Sequence, residues 1–256
     1  MSARPTRRNI LITGASSGLG EQMAREFARR GRNLALCARR TDRLEKLRAE
    51  LLERNPRITV SLKALDVTDT DAVFEVFRSF AVEFEEHGGL DRVIVNAGLG
   101  KGQPLGSGRF DANLQTAQTN FIGALAQFEA ALETFRARGS GHLVAISSMS
   151  AMRGMPRNLT TYAATKAGVA TLAEGARADL LGTDIVVSTI YPGYIRSEMN
   201  EKVKNTPLIV STEKGVAAMV AAIEKEKASA KVPAWPWVPM GLLMRVLPLP
   251  VVARMA

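Results

Sequence analysis

A single cysteine, Cys37, excludes an internal disulfide framework, and its place inside the apolar run Asn33–Ala38 reads as a buried strand residue rather than a catalytic thiol. Histidine is almost as scarce. His87 and His142 stand apart from each other and from any cluster of carboxylates at ligand spacing, so no metal is expected and both histidines are read as solvated or structural. No apolar stretch approaches the roughly 20 residues that a bilayer-crossing helix needs. The run Ile10-Leu11-Ile12, which follows Arg4, Arg7 and Arg8, is far too short for a signal-peptide core and passes at once into glycine, so no secretion signal is expected. Acid is outnumbered by base: 25 Asp and Glu face 34 Lys and Arg, a formal charge of +9. Those cations are scattered along helical segments without a nucleic-acid-binding motif, which argues for a solvated basic surface that steers anions rather than for a nucleic-acid partner.

What the chain does have is 46% apolar and 23% charged residues, enough to bury a sizeable core. Short β-branched and Leu-rich runs at Asn9–Thr13, Asn33–Ala38, 58–65, 92–96, 142–147 and 185–191, with a weak last one at 231–232, alternate with longer segments of helical period. That alternation predicts a single α/β domain over residues 1–256, a doubly wound parallel sheet of about seven strands with helices on both faces. No internal repeat or linker divides it. Residues 228–256 differ in character, with Pro233, Pro236, Pro239, Pro248 and Pro250 among Trp235, Trp237 and many aliphatic residues. Three placements are open for this tail: over the substrate pocket or a neighbouring subunit, which is preferred, against the chain's own core, or in a membrane interface.

Directly after the first strand comes Thr13-Gly14-Ala15-Ser16-Ser17-Gly18-Leu19-Gly20, and then a segment of helical spacing. Glycines there allow positive φ and close approach of backbone to a phosphate, while the helix N-terminus offers unpaired N–H groups and a favourable dipole. A dinucleotide pyrophosphate fits this arrangement. At the end of the second strand, where an acid would bind a ribose 2′-hydroxyl, stand Arg39 and Arg40. A guanidinium binds a 2′-phosphate with fork geometry and fixed charge, so Arg39, assisted by Arg40, selects NADP(H) over NAD(H).

Farther on, Tyr162 and Lys166 lie four residues apart at the start of a helical segment, on one face. An ammonium beside a phenol favours the phenolate and draws proton exchange toward neutral pH. The preceding strand ends at Ser147-Ser148, where hydroxyls face the crevice in which open α/β sheets bind ligands.

The glycine pattern, the serine and the Tyr-x-x-x-Lys pair, in this order over residues 9–199, resemble the short-chain dehydrogenase/reductase family. The resemblance implies an oxidoreductase that moves a hydride between NADP(H) and a carbonyl or secondary alcohol, most simply a ketone or aldehyde reductase. It places Gly14, Ser16, Ser17, Gly18, Leu19 and Gly20 on the pyrophosphate and Asp66 with Val67 at the adenine. Asn96, Ala97 and Gly98 fall beside the cofactor, and Asn120 holds a proton-relay water. Ser148 polarises the substrate carbonyl, Tyr162 transfers the proton, and Lys166 binds ribose and lowers the tyrosine pKa. One departure concerns the serine: Ser148 precedes Tyr162 by one residue more than the family's frequent spacing, which leaves Ser147 and Ser150 as competitors. Pro192 and Gly193 match the motif that seats nicotinamide, with Ile195 and Ser197 on its carboxamide.

The lid over such a site falls at 198–211, and the Gly-rich stretch 100–108, with Lys101 and Arg109 beside it, is either a pocket wall or a plain surface loop. Neither names a substrate, although a hydrophobic or lipid-like one suits a tail at a membrane interface. By resemblance a homodimer or homotetramer forms through the helices after Asn113 and Thr161, in the cytoplasm, with membrane association through the tail open but not favoured. The alternative is a non-catalytic NADP-binding regulator on the same fold.

Overall fold

The computed structural model describes residues 6–198 and 208–254. Seven strands form one parallel sheet: β1 (Asn9–Thr13), β2 (Asn33–Ala38), β3 (Val60–Ala64), β4 (Arg92–Val95), β5 (Ser140–Ile146), β6 (Asp184–Pro192) and β7 (Ser229–Val232). Their order across the sheet is β3-β2-β1-β4-β5-β6-β7, so the winding reverses between β1 and β4. Helices α1 (Gly18–Arg29), α2 (Thr41–Arg54), α3 (Thr70–Glu83), α4 (Phe110–Ala117), α5 (Gly123–Arg138), α6 (Thr160–Asp179), α7 (Thr212–Glu224), α8 (Ala234–Val246) and α9 (Leu249–Arg254) join and follow the strands. A short π-helical turn, Gln118–Ile122, links α4 to α5.

Strand side chains alternate between the two faces, as a period of two requires. Ile10, Ile12, Leu34, Leu36 and Ile94 enter one core with Met23 and Phe27 of α1, Leu44 and Leu47 of α2, and Val216, Met219 and Ile223 of α7. Leu11, Ala35, Cys37, Val93 and Val95 enter the other with Phe77 and Phe80 of α3, Phe128 and Phe135 of α5, and Val169 of α6. Each fully buried Leu, Ile or Phe contributes about 1.5–3 kcal/mol before chain entropy is charged against it. Strands covered on both faces read as nearly continuous apolar runs, and this is why they were visible in the sequence.

The strand limits differ in detail. β3 is shorter than the expected 58–65, β5 begins two residues before 142, and the weak run at 231–232 extends to Ser229–Val232 because it pairs with Thr189 to Pro192 of β6. Within the apolar tail lie α8 and α9. Trp237, Met244 and Val252 pack there on Met149, Met152, Met155 and Ala163, a third apolar cluster beyond the end of the sheet. Among the described residues no helix is long and apolar enough to cross a membrane.

Candidate functional site

The glycine turn, Arg39 and Arg40, Asp66, Asn96, Ser148 and Pro192 follow or end the carboxyl ends of β1 to β6, where open α/β sheets leave a crevice at the reversal point between β1 and β4. Gly14 and Gly18 adopt φ of +64° and +57°, a region that side chains rarely enter. A Cβ on Gly14 would lie 2.9 Å from Ala97 Cα, and one on Gly20 would lie 2.4 Å from the Gly14 carbonyl oxygen. The three glycines therefore serve distinct needs: the turn, close approach to the β4 loop, and seating of α1 on that turn. Ser17, the residue before α1, makes no side-chain cap; its hydroxyl accepts instead from Arg40 Nη2 at 2.6 Å. The amides of the first turn of α1 are left for an anion, and the cradle fits a pyrophosphate on its own geometry.

Thr13 holds the cradle against β4. Its Oγ1 accepts from the amides of Asn96 (3.0 Å) and Ala97 (3.1 Å), while Asn96 Nδ2 donates to the Thr13 carbonyl at 2.9 Å. Arg39 and Arg40, both expected at the 2′-phosphate, differ in their contacts. Arg40 lies on the loop, donating to Ser16 Oγ at 3.3 Å as well as to Ser17. Arg39 sits farther out, 3.6 Å from Asp66 Oδ2. Burial acts to raise the Asp66 pKa, but hydrogen bonds from the Thr68 amide and hydroxyl and the Arg39 charge outweigh it and hold this carboxyl below its ordinary value. Val67 is buried beside it, its carbonyl pressed against Gly123.

Asn120 lies in the π-helical turn, where an added residue per turn aims its side chain inward. Its Oδ1 accepts from the Leu99 amide at 2.6 Å, and its Nδ2 donates to the Leu99 carbonyl at 2.8 Å and to Thr165 Oγ1 at 3.3 Å. A Cβ on Gly98 would stand 3.2 Å from Asn120 Oδ1 and 3.4 Å from Lys166 Nζ, so a bare backbone there leaves room for both side chains.

At the centre, the Ser148 side chain lies beside Tyr162, near enough to favour its phenolate. Ser147 is committed elsewhere: its buried hydroxyl donates to the Lys166 carbonyl at 2.8 Å. Ser150 meets Ser148 only through its amide, which donates to Ser148 Oγ at 3.1 Å. Of the three competing serines, Ser148 is the one in contact with the tyrosine. Lys166 is buried, with Nζ donating to the Ile146 carbonyl at 2.9 Å and lying 6.0 Å from the centre of the Tyr162 ring. Burial pushes its ammonium pKa down to about 8. Burial also raises the Tyr162 pKa, the Ser148 hydrogen bond opposes that rise, and the neighbouring Tyr194 adds to it. Burial is the largest influence on this phenol, and the Lys166 ammonium is directed at the Ile146 carbonyl.

Pro192 ends β6, and Gly193 follows it as the chain returns toward the glycine cradle. The Gly193 amide donates to the Val232 carbonyl at 2.9 Å, Ile195 is buried, and Ser197 Cβ lies 3.5 Å from where a Cβ on Gly18 would stand. Glu198 joins the two sides, accepting from Arg43 at 2.6 Å and from Arg40 at 3.4 Å. Of the expected lid 198–211, residues 199–207 lie outside the described residues. Loop 100–103 and Arg109 line a cavity of about 410 Å³ that reaches Asn158, just before α6.

Two positioning features were missed in the sequence. Asn113 ties loop 100–103 to the first turn of α6, its Oδ1 accepting from the Gln103 amide (2.9 Å) and the Thr161 hydroxyl (3.0 Å). Trp237 covers Gly193 so closely that a Cβ there would lie 2.0 Å from its ring, and it packs edge-on against Tyr194 at 5.5 Å between centroids. Nothing in the local sequence pairs Trp237 with Gly193; a glycine followed by a distant aromatic was the only available signal.

The chain matches the family model described as short chain dehydrogenase over residues 8–208. It is 54% identical over 243 residues to an uncharacterized oxidoreductase of Mycobacterium tuberculosis (strain ATCC 25618 / H37Rv), an alignment that covers 95% of each chain. Among solved structures it resembles levodione reductase, with a TM-score of 0.77 and 27% identity, over 89% of this chain and 95% of that one. It also resembles an alcohol dehydrogenase of Thermococcus sibiricus complexed with 5-hydroxy-NADP, with a TM-score of 0.75 and 26% identity, over 88% of this chain and 95% of that one. Motif order, sheet topology and these matches agree: the chain belongs to the short-chain dehydrogenase family of oxidoreductases.

Proposed function

We propose that this oxidoreductase is an NADPH-dependent reductase of ketones or aldehydes in which Tyr162 is the proton donor. The observation that carries the reading is the Ser148–Tyr162 hydroxyl pair beside buried Lys166, at the mouth of a glycine cradle that bears Arg40. When bound, NADPH supplies the hydride. As negative charge gathers on the substrate oxygen, Ser148 donates a hydrogen bond to it and Tyr162 passes its proton to it. A phenol kept protonated by burial is suited to that direction of transfer. The Lys166 ammonium stabilises the tyrosinate left behind, and Asn120 holds the water through which the proton is restored. Gly14, Ser16, Ser17, Gly18, Leu19 and Gly20 hold the pyrophosphate, Arg40 and Arg39 the 2′-phosphate, and Asp66 and Val67 the adenine. Asn96, Ala97 and Gly98 flank the cofactor, while Pro192, Gly193, Ile195 and Ser197 seat the nicotinamide.

The 5-hydroxy-NADP carried by the Thermococcus structure supports the same cofactor class here. Met149, Met152 and Trp237 beside the site support an apolar substrate. A homodimer or homotetramer through α4 and α6 is proposed as well, supported by the exposure of Phe110 and Leu114 on α4, and light scattering reads it directly. For the chemistry, wild type and Tyr162→Phe are compared for NADPH and NADH oxidation against linear, long-chain and cyclic ketones and aldehydes. Loss of at least 10²–10⁴-fold in kcat with NADPH binding intact is the expected result, since a positioned proton donor contributes about that much. Tight NADPH binding by both proteins with turnover by neither would favour a cofactor-binding regulator instead.

A further inference from the structure

The outward face of α8 and α9 has no part in the chemistry described above. Helix α8 directs Trp237, Gly241 and Met244 inward, yet its opposite stripe is apolar too. Val238, Leu242 and Val246, spaced four residues apart, are 50%, 67% and 71% exposed; Trp235 precedes them at 80% and Leu249 follows at 58%. A surface helix that is apolar on both faces has a second apolar phase to meet. Thirteen residues span only about 20 Å, too little to cross a bilayer core of about 30 Å.

Charge selects the occupant. From residue 227 to 256 the chain carries Lys227, Lys231, Arg245 and Arg254 and no Asp or Glu. Arg245 and Arg254 are exposed along the same two helices, and Arg153 joins them by donating to the Arg245 carbonyl at 3.0 Å. A two-fold contact between copies through this face would set cation against cation. An anionic lipid surface supplies the complementary charge and an apolar layer of the right depth, and an exposed tryptophan is the residue such interfaces favour.

We propose that α8 and α9 dock the protein on an anionic lipid surface, with the Trp235, Val238, Leu242 and Val246 stripe in the acyl boundary and the arginines at the headgroups. The inner face of the same helices touches Met149 and Ala163, neighbours of Ser148 and Tyr162. Docking would thus hold the site about one helix diameter, ~10 Å, from the lipid. Granted the reductase reading above, that selects long-chain carbonyl compounds that partition into membranes as substrates.

The test is flotation of the full chain with phosphatidylglycerol-containing vesicles and with pure phosphatidylcholine vesicles. No substrate is added, so its failure is distinct from a failure of the reductase reading. Wild type is expected to float with the anionic vesicles and to be released by salt. Arg245→Gln with Arg254→Gln should weaken binding about 30-fold, on the order of fivefold per cation. Leu242→Ser with Val246→Ser should weaken it at least about tenfold, and unchanged thermal melting confirms that these exposed replacements leave the fold intact. Absence of wild-type flotation, or flotation that neither double variant reduces, would overturn the proposal. So would a wild-type dimer that Leu242→Ser with Val246→Ser converts to a monomer while vesicles capture neither protein.

Discussion

At the amino-terminal end of the central strand, Arg92 opens β4 with its side chain 1% exposed, and replacing it by methionine tests what holds that end together. Its Nε donates to His142 Nδ1 at 2.8 Å, and Nη1 bonds Glu224 Oε1 at 3.0 Å. Burial lowers the Arg92 pKa, and the charges of Glu224 and then Glu226 oppose that shift. Removing one partner of a buried pair costs about 3–5 kcal/mol, most of it from stranding the other charge. Glu224 is not stranded here, because it is 20% exposed and keeps Arg32 at 3.1 Å. His142 keeps Ser188, at 2.8 Å from its Nε2. Methionine also preserves most of the packing on Phe27. The loss is therefore set at about 3 kcal/mol, the lower end of the range. For a chain of this size that lowers Tm by about 6–12 °C. Differential scanning calorimetry reads the Tm, and steady-state kinetics should give an unchanged KM for NADPH, since the network is remote from the cradle. A Tm within about 2 °C of wild type would refute the reasoning and show that the buried cations could be exchanged for apolar residues without loss, as happens in some proteins.

Arg40→Ala should reduce the preference for NADPH over NADH by about 10- to 100-fold, because hydrogen bonds to a charged group contribute about 1.5–3 kcal/mol; cofactor KM ratios measure it, and Arg39→Ala should have the smaller effect. Gly20→Ala forces a Cβ to within 2.4 Å of the Gly14 carbonyl, so fluorescence titration should find NADPH affinity lost while circular dichroism stays native. With its pKa held near 8 by burial, Lys166 is charged below that pH and neutral above it. Reduction should accordingly decline as pH rises through about 8, while Tyr162, whose pKa is raised, stays protonated; a pH profile of kcat that is flat from 7 to beyond about 9 would contradict this assignment.

The fold was legible in the sequence because parallel strands buried on both faces must be apolar throughout, and the runs around Ile10, Leu34, Val93 and Val144 could be little else. The cradle was legible for a different reason: glycines at positive φ cannot easily be replaced, so they stand in sequence at the spacing the turn demands. Tyr162 and Lys166 share one helix, and their proximity follows from helical period alone. By contrast, which serine faces Tyr162 depended on how the chain leaves β5, and the extended backbone there sends Ser147 to the Lys166 carbonyl and Ser148 to the phenol. That Arg40 meets Ser16 and Ser17 while Arg39 meets Asp66 likewise rested on where α2 begins relative to the glycine loop.

Local pattern thus determined the strands, the glycine turn and the pairing of Tyr162 with Lys166 on one helix, since each is encoded within one element or one turn. Tertiary structure alone decided the rest: the π-turn that brings Asn120 to Leu99 and Thr165, the seating of Trp237 on Gly193, and the Arg92–His142–Glu224 network. These contacts join residues far apart in the chain, and their partners are selected by packing and burial rather than by any spacing that a sequence can display.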